Sequence, residues 1–231
     1  MDRFSCGAPW RRLVLGLGLM GALVGGCGSS SGNTMDMGVG DNDVSDMDVD
    51  AGPQPPAVRA VFALPRDPAT HAFFDLPWPS DVRRNPDGTL DVSEFPQPRE
   101  NQLVRRYLNA IEADTRGYAI NGGTYLRFSA SVDTSTLPAD AAAAQDADAS
   151  VFLMNVDADS PNVGTRHAVN VSYRDEATRY WPQHCVAVLP VFGVPLEWDT
   201  TYAVVVTRDV KPDAGGDYER DLDFEALLGD D

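Results

Sequence analysis

Three histidines, three cysteines and one G-x-S-x-G run are the parts of this 231-residue chain whose types could support nucleophilic or metal chemistry. Two of them are adjacent, His184 and Cys185, in "PQHCVAVLP". A cysteine nucleophile needs an imidazole within hydrogen-bond reach and a third group to orient that imidazole. Neighbours on a strand point to opposite faces, so His184 and Cys185 there would share neither a proton nor a metal ion. No orienting group is identifiable, and Cys185 reads more simply as a small buried hydrophobe. The other histidines are His71 and His167. Gly28-Ser29-Ser30-Ser31-Gly32 spells a nucleophile elbow, but that motif works only as a strained turn between a strand and a helix. A cysteine precedes it here and an acidic stretch follows, so it reads as a flexible spacer.

Carboxylates offer a second chemistry. Asp41, Asp43, Asp46, Asp48 and Asp50 are spaced closely enough for calcium, but an EF-hand begun at Asp41 needs glycine where Asp46 stands and glutamate where Gly52 stands. "NVDADSPN" fails the same register at Ser160 and Arg166. Asp75, Asp81, Asp87 and Asp91 sit among Pro, Asn, Ser and Gly, as turn residues do. No phosphate-binding glycine loop and no H-E-x-x-H occurs, so no cofactor, metal or catalytic residue is expected. Trp78, Trp181 and Trp198 could stack on the sugar rings of a glycan, although packing beneath proline-rich turns is the plainer reading.

Cys27 has a chemistry of its own. Residues 13–24 are an apolar run of twelve, about 18 Å as a helix, against about 30 Å for a hydrocarbon core. Arg3, Arg11 and Arg12 precede the run and Gly25-Gly26 follow it, the order of a secretory signal peptide. Val24-Gly25-Gly26-Cys27 resembles a bacterial lipobox, which implies cleavage after residue 26 and acylation of Cys27. At about 0.8 kcal/mol per buried CH₂, one chain is marginal and two or three are durable. The expected membrane partner is therefore met through covalent lipid, and Gly28 in place of aspartate favours the outer membrane.

Removing residues 1–26 takes away Asp2, Arg3, Arg11 and Arg12, a net +2, so the charge of −17 becomes −19. Such a chain repels nucleic acid and anionic lipid surfaces. Cys6 leaves with the signal peptide and Cys27 carries lipid, so Cys185 has no partner for a disulfide within the chain. Residues 27–57 hold six aspartates between Asp36 and Asp50 and no Lys or Arg, which predicts a lipid-anchored, disordered, self-repelling tether.

Residues 58–117 read as a strand and helix segment. "VRAVFAL" is strand-like, "NPDGTLDV" is a turn and short strand, and "ENQLVRRYLNAIEAD" carries a helical stripe of Leu103, Val104, Tyr107, Leu108 and Ile111. Residues 118–218 read as strands. "TYLRFSASVD" alternates Leu126 and Phe128 against Tyr125 and Arg127, and "SVFLMNV", "HAVNVSY", "CVAVLPV" and "TYAVVVTRDV" follow. The expected class is mainly β, an antiparallel sandwich, with residues 219–231 the start of an incomplete following segment in which a helix begins.

"YLRFSASVDTSTLP" through "VFLMNVD" to "PLEWDTTYAVVVTRDVKPDAGG" resembles the bacterial Ig-like domain of large surface proteins. "FDLPWPSDVRRNPDGTLDVSEFP" is similar to the N-terminal region of bacterial surface lipoproteins that sometimes carry a lipase, the virulence-factor type. The resemblance implies an Ig-like β-sandwich and gives Tyr202 the place of a tyrosine corner, its ring in the core and its hydroxyl on upstream backbone. The leading expectation is a lipid-anchored envelope protein with a non-catalytic module for surface contact or spacing. The alternatives are the anchor and cap of a surface lipase or esterase lacking its α/β-hydrolase domain, and a glycan-binding module. A surface protein or glycan is the partner each contact reading implies.

Overall fold

The computed structural model describes residues 57–64, 72–97 and 100–228. Cys27, residues 28–32, the aspartates up to Asp50 and His71 lie outside the described residues. Within them the chain forms strands β1 (Arg59–Ala60), β2 (Thr124–Arg127), β3 (Val151–Asn155), β4 (Arg166–His167), β5 (Val169–Arg174), β6 (Cys185–Pro190), β7 (Tyr202–Val206) and β8 (Glu219–Arg220). Two helices accompany them, α1 (Gln102–Asp114) and α2 (Leu222–Leu228). No helix among the described residues is long and apolar enough to cross a membrane.

The fold is mainly β. Two three-stranded antiparallel sheets run in the orders β2-β6-β5 and β4-β3-β7, and β1 pairs in parallel with β8. The near-continuous apolar run of β6 suits a central strand buried on both faces. On its edge, β5 alternates buried Val169 with exposed Asn170, as a strand with one wet face does. Leu126 pairs with Val186, and Val151 with Val206, so each register turns branched side chains to one side. Leu126, Val169, Val186 and Val188 of the first sheet join Val151, Leu153, Val204 and Val206 of the second in one buried cluster. Each such side chain contributes about 1.5–3 kcal/mol relative to exposure. Cys185 is a free thiol, so this packing holds the sheets together without a disulfide there.

The opposite face of the first sheet is covered by aromatic rings from the N-terminal segment. Tyr125 meets Phe74 at 6.1 Å and Trp181 at 5.0 Å, while Phe73 meets Phe74, Trp78 and Phe95 at 5.0–5.3 Å. Arg83 is buried in this layer, its guanidinium 4.1 Å from the Phe73 ring, donating to the Phe73 carbonyl at 2.9 Å and pairing with Glu94 at 3.3 Å. Trp78 and Tyr125 also exchange backbone hydrogen bonds, so residues 58–117 and 118–218 are tied through both backbone and rings. The described residues from Ala57 onward belong to one compact unit.

Asn101 caps α1 by accepting the Leu103 N–H at 2.9 Å. Its buried face is Val104, Leu108 and Ile111 against Leu90 and Val92. Leu103 and Tyr107 are 60% and 65% exposed, so two of the five expected stripe positions face solvent. The five apolar positions cover a wider arc than one neighbour can bury, and the i, i+4, i+7 set wins. "HAVNVSY" is likewise not one strand. Arg166–His167 pairs with β3 and Val169–Arg174 with β6, because the chain changes sheet at Ala168 to seat Val169 in the shared core. "VRAVFAL" pairs as a strand only at β1. In residues 219–231, α2 begins at Leu222 and seats Phe224 against Phe62 and Leu76.

Candidate functional site

The β5–β6 hairpin pairs Arg174 with Cys185, which brings Asp175 and His184 together just beyond the ladder. His184 takes a left-handed backbone, φ 53°, and donates its N–H to the Asp175 carbonyl at 3.1 Å. Its Nδ1 lies 2.8 Å from Asp175 Oδ1. The Ser131 hydroxyl donates to the same oxygen at 2.7 Å and the Tyr173 hydroxyl at 2.5 Å. Serine, histidine and aspartate thus meet, as they would in a nucleophilic triad.

The geometry is not that of a relay. A triad serine uses one ring nitrogen while the carboxylate orients the ring through the other. Ser131 Oγ instead sits 3.5 Å from Nδ1, the nitrogen already facing Asp175, and gives its proton to the carboxylate. Asp175 is an acceptor hub. The Tyr173 hydroxyl first, then Ser131 and His184, hold its carboxyl down at about 2. Tyr173 also accepts the Val132 N–H at 3.1 Å, and Tyr218 donates to the Ala130 and Ser131 carbonyls at 2.9 and 2.8 Å. The cluster staples residues 130–132 to the hairpin end.

Cys185 is fully buried, and burial pushes its thiol up to about 12. Its Sγ–H points to the Val186 carbonyl at 3.8 Å, so at neutral pH it is neither thiolate nucleophile nor metal ligand. The Asn155 and Asp157 side-chain oxygens of "NVDADSPN" are occupied by their own chain. Asn155 Oδ1 accepts the Asp157 N–H at 3.0 Å, and Asp157 accepts from Asp159 and Thr201 N–H groups at 3.0 and 3.2 Å. Asp87 and Asp91 accept from Thr89 and Ser93 within their turns. Asp75 does more than turn the chain, since its carboxylate pairs with Arg127 of β2. Among the described residues, no group of three or more His, Cys, Asp or Glu could hold a metal ion.

A groove of about 630 Å³ opens between residues 115–125 and residues 196–202. Two of the three tryptophans singled out from the sequence, Trp78 and Trp198, line it together with Tyr118 and Tyr202. Trp181 lies elsewhere, edge-on to Tyr125 with the Arg174 guanidinium 5.2 Å from its ring. Trp198 is 73% exposed. Its loop is nonetheless pinned. Leu196 N–H donates to the Ile120 carbonyl at 2.8 Å, Glu197 N–H to the Tyr202 hydroxyl at 3.1 Å, and Asn162 Nδ2 to Glu197 Oε1 at 2.6 Å. Opposite, Gly123 keeps the wall close, because a Cβ there would stand 3.2 Å from both Leu189 and the Tyr125 hydroxyl. Among the described residues, the polar lining consists of Thr, Asn, Glu and Asp side chains, with no Lys, Arg or His.

Of the two residues singled out from the sequence, Tyr202 is buried with its hydroxyl accepting the Glu197 N–H, and Cys27 lies outside the described residues. Asp175 and Ser131 escaped notice because their meeting depends on the hairpin register. The alternation of "VNVSY" against "CVAVLPV" around a ten-residue connection was the signal that could have found it. No protein family, curated protein or solved structure matches the chain.

Proposed function

We propose that this chain is a lipid-anchored envelope protein, acylated at Cys27, whose Ig-like β-sandwich is a non-catalytic module for surface contact held out on an acidic tether. The sandwich reading is supported by two antiparallel sheets sharing one core. Its Ig-like character is supported by Tyr202, whose ring is buried in that core while its hydroxyl holds backbone five residues upstream. The Asp175 hub supports a non-catalytic role, since its serine hydroxyl already donates to the carboxylate.

The observation that carries the contact role is Trp198. A large indole 73% exposed on a loop fixed by three hydrogen bonds is a presented surface at little ordering cost. Anchoring rests on Val24-Gly25-Gly26-Cys27. Cys27→Ala is expected to abolish fatty-acid labelling and move the protein from the membrane pellet to the soluble fraction. Undiminished labelling and membrane partition of the variant would overturn the anchor.

A further inference from the structure

We propose that the groove between residues 115–125 and 196–202 binds an uncharged carbohydrate, with Trp198 as the platform on which a sugar ring stacks. The proposal deepens the contact role above and rests on it only for where the ligand is met; the groove itself is independent of acylation at Cys27.

Size and shape come first. About 630 Å³ falls within the range of ligand clefts, which are mostly apolar with a few fixed polar groups. An exposed indole offers a flat apolar face that suits the C–H face of a pyranose, and Trp78 and Tyr118 add aromatic area to the lining.

Charge then narrows the chemistry. Among the described residues the lining contains Glu197 and Asp199 but no cationic side chain, and the whole chain carries −17. Phosphorylated, sulfated or uronic saccharides would meet repulsion with nothing to neutralise them. Hydroxyl groups face no such penalty. They both donate and accept, so they match the Glu197 carboxylate, the Asn121 amide and the Thr115 and Thr200 hydroxyls in the same groove. A cationic side chain is the competing ligand, since it also stacks on indole. Against it, Glu197 already accepts from Asn162 at 2.6 Å, which reduces what the carboxylate offers to a full positive charge and leaves acceptor capacity for a hydroxyl.

Preorganisation completes the argument. The loop bearing Trp198 is fixed at Leu196, Glu197 and Tyr202, and the Thr200 hydroxyl donates to the Trp198 carbonyl at 2.9 Å. Little conformational freedom remains to be lost on binding.

The test is titration of the full chain, purified in detergent, with uncharged gluco- and galacto-oligosaccharides and separately with oligolysine. Saturable binding of an uncharged oligosaccharide, insensitive to salt, is expected. Trp198→Ala should weaken it about tenfold or more, the loss expected when the stacking platform is removed, while Trp198→Tyr retains most of the affinity. Because Trp198 is exposed, both variants should keep the wild-type unfolding midpoint, which separates lost binding from lost fold. No saturable binding of these saccharides, equal affinity in Trp198→Ala, or salt-sensitive binding of oligolysine alone would each overturn the proposal. None of these outcomes bears on fatty-acid labelling at Cys27.

Discussion

Asp175 and His184 meet at 2.8 Å through Oδ1 and Nδ1, immediately beyond the last pair of the β5–β6 ladder. The same oxygen takes the hydroxyls of Ser131 and Tyr173, so one carboxylate organises the end of the hairpin and the chain beside it. These donors favour the charged form, which is why the folded-state value falls from 3.8 to about 2.

The first prediction follows from that shift. A depressed folded-state pKa contributes stability that is present above the unfolded value near 3.8 and is lost as pH falls through about 2. Asp175→Asn should therefore flatten the acid limb of stability between about pH 4 and pH 2. Urea midpoints of wild type and variant across that range are the measurement, and parallel acid limbs would remove Asp175 from the account.

The second concerns Cys185. A fully buried thiol held at about 12 should not react with a disulfide reagent in the native protein at pH 8. Reaction should begin only as the chain unfolds, with a rate that tracks denaturant. The measurement uses a chain in which Cys6 and Cys27 are replaced by alanine, so that Cys185 is the only thiol. Stoichiometric labelling under native conditions would show that the strand opens locally or that the thiol is exposed.

What the sequence reveals and what it hides divide along chain distance. The alternation of Leu126 and Phe128 against Tyr125 and Arg127 is legible because a strand has period two, and inward Leu126 and Phe128 do lie in the core. The helix in "ENQLVRRYLNAIEAD" and a helix beginning within residues 219–231 are local and legible too. The Asp175 hub is not, because three of its members come from separate segments whose register no short window contains. The groove is hidden for the same reason, since its walls are joined through the Leu196 to Ile120 bond between distant loops. Pattern alone also overcounts burial. Tyr107 fits the stripe of α1 yet lies in solvent, because Leu90 and Val92 are placed to cover only part of that arc.

The last prediction is Tyr202→Phe. The ring sits in the core with Val204 and Val206, and its hydroxyl accepts the Glu197 N–H at 3.1 Å. Phenylalanine keeps the ring and its packing, so the change isolates that one bond. A hydrogen bond of this kind contributes about 0.5–1.5 kcal/mol net, and a donor left without a partner costs about 1–3 kcal/mol. Glu197 itself is exposed, so water can reach its N–H once the hydroxyl is gone, which draws the expected loss to about 1 kcal/mol. The loss should lower the urea midpoint without changing the slope, because the surface exposed on unfolding is unchanged. A second readout distinguishes a corner from a mere core tyrosine. Glu197, Trp198 and Asp199 lie on the loop that the bond restrains, and Asp199 is held at φ 52°. Freeing Glu197 should therefore speed hydrogen exchange across residues 197–200 more than along β7 itself. Unchanged midpoint and unchanged exchange would mean that the hydroxyl holds nothing, and the Ig-like assignment would lose its main support.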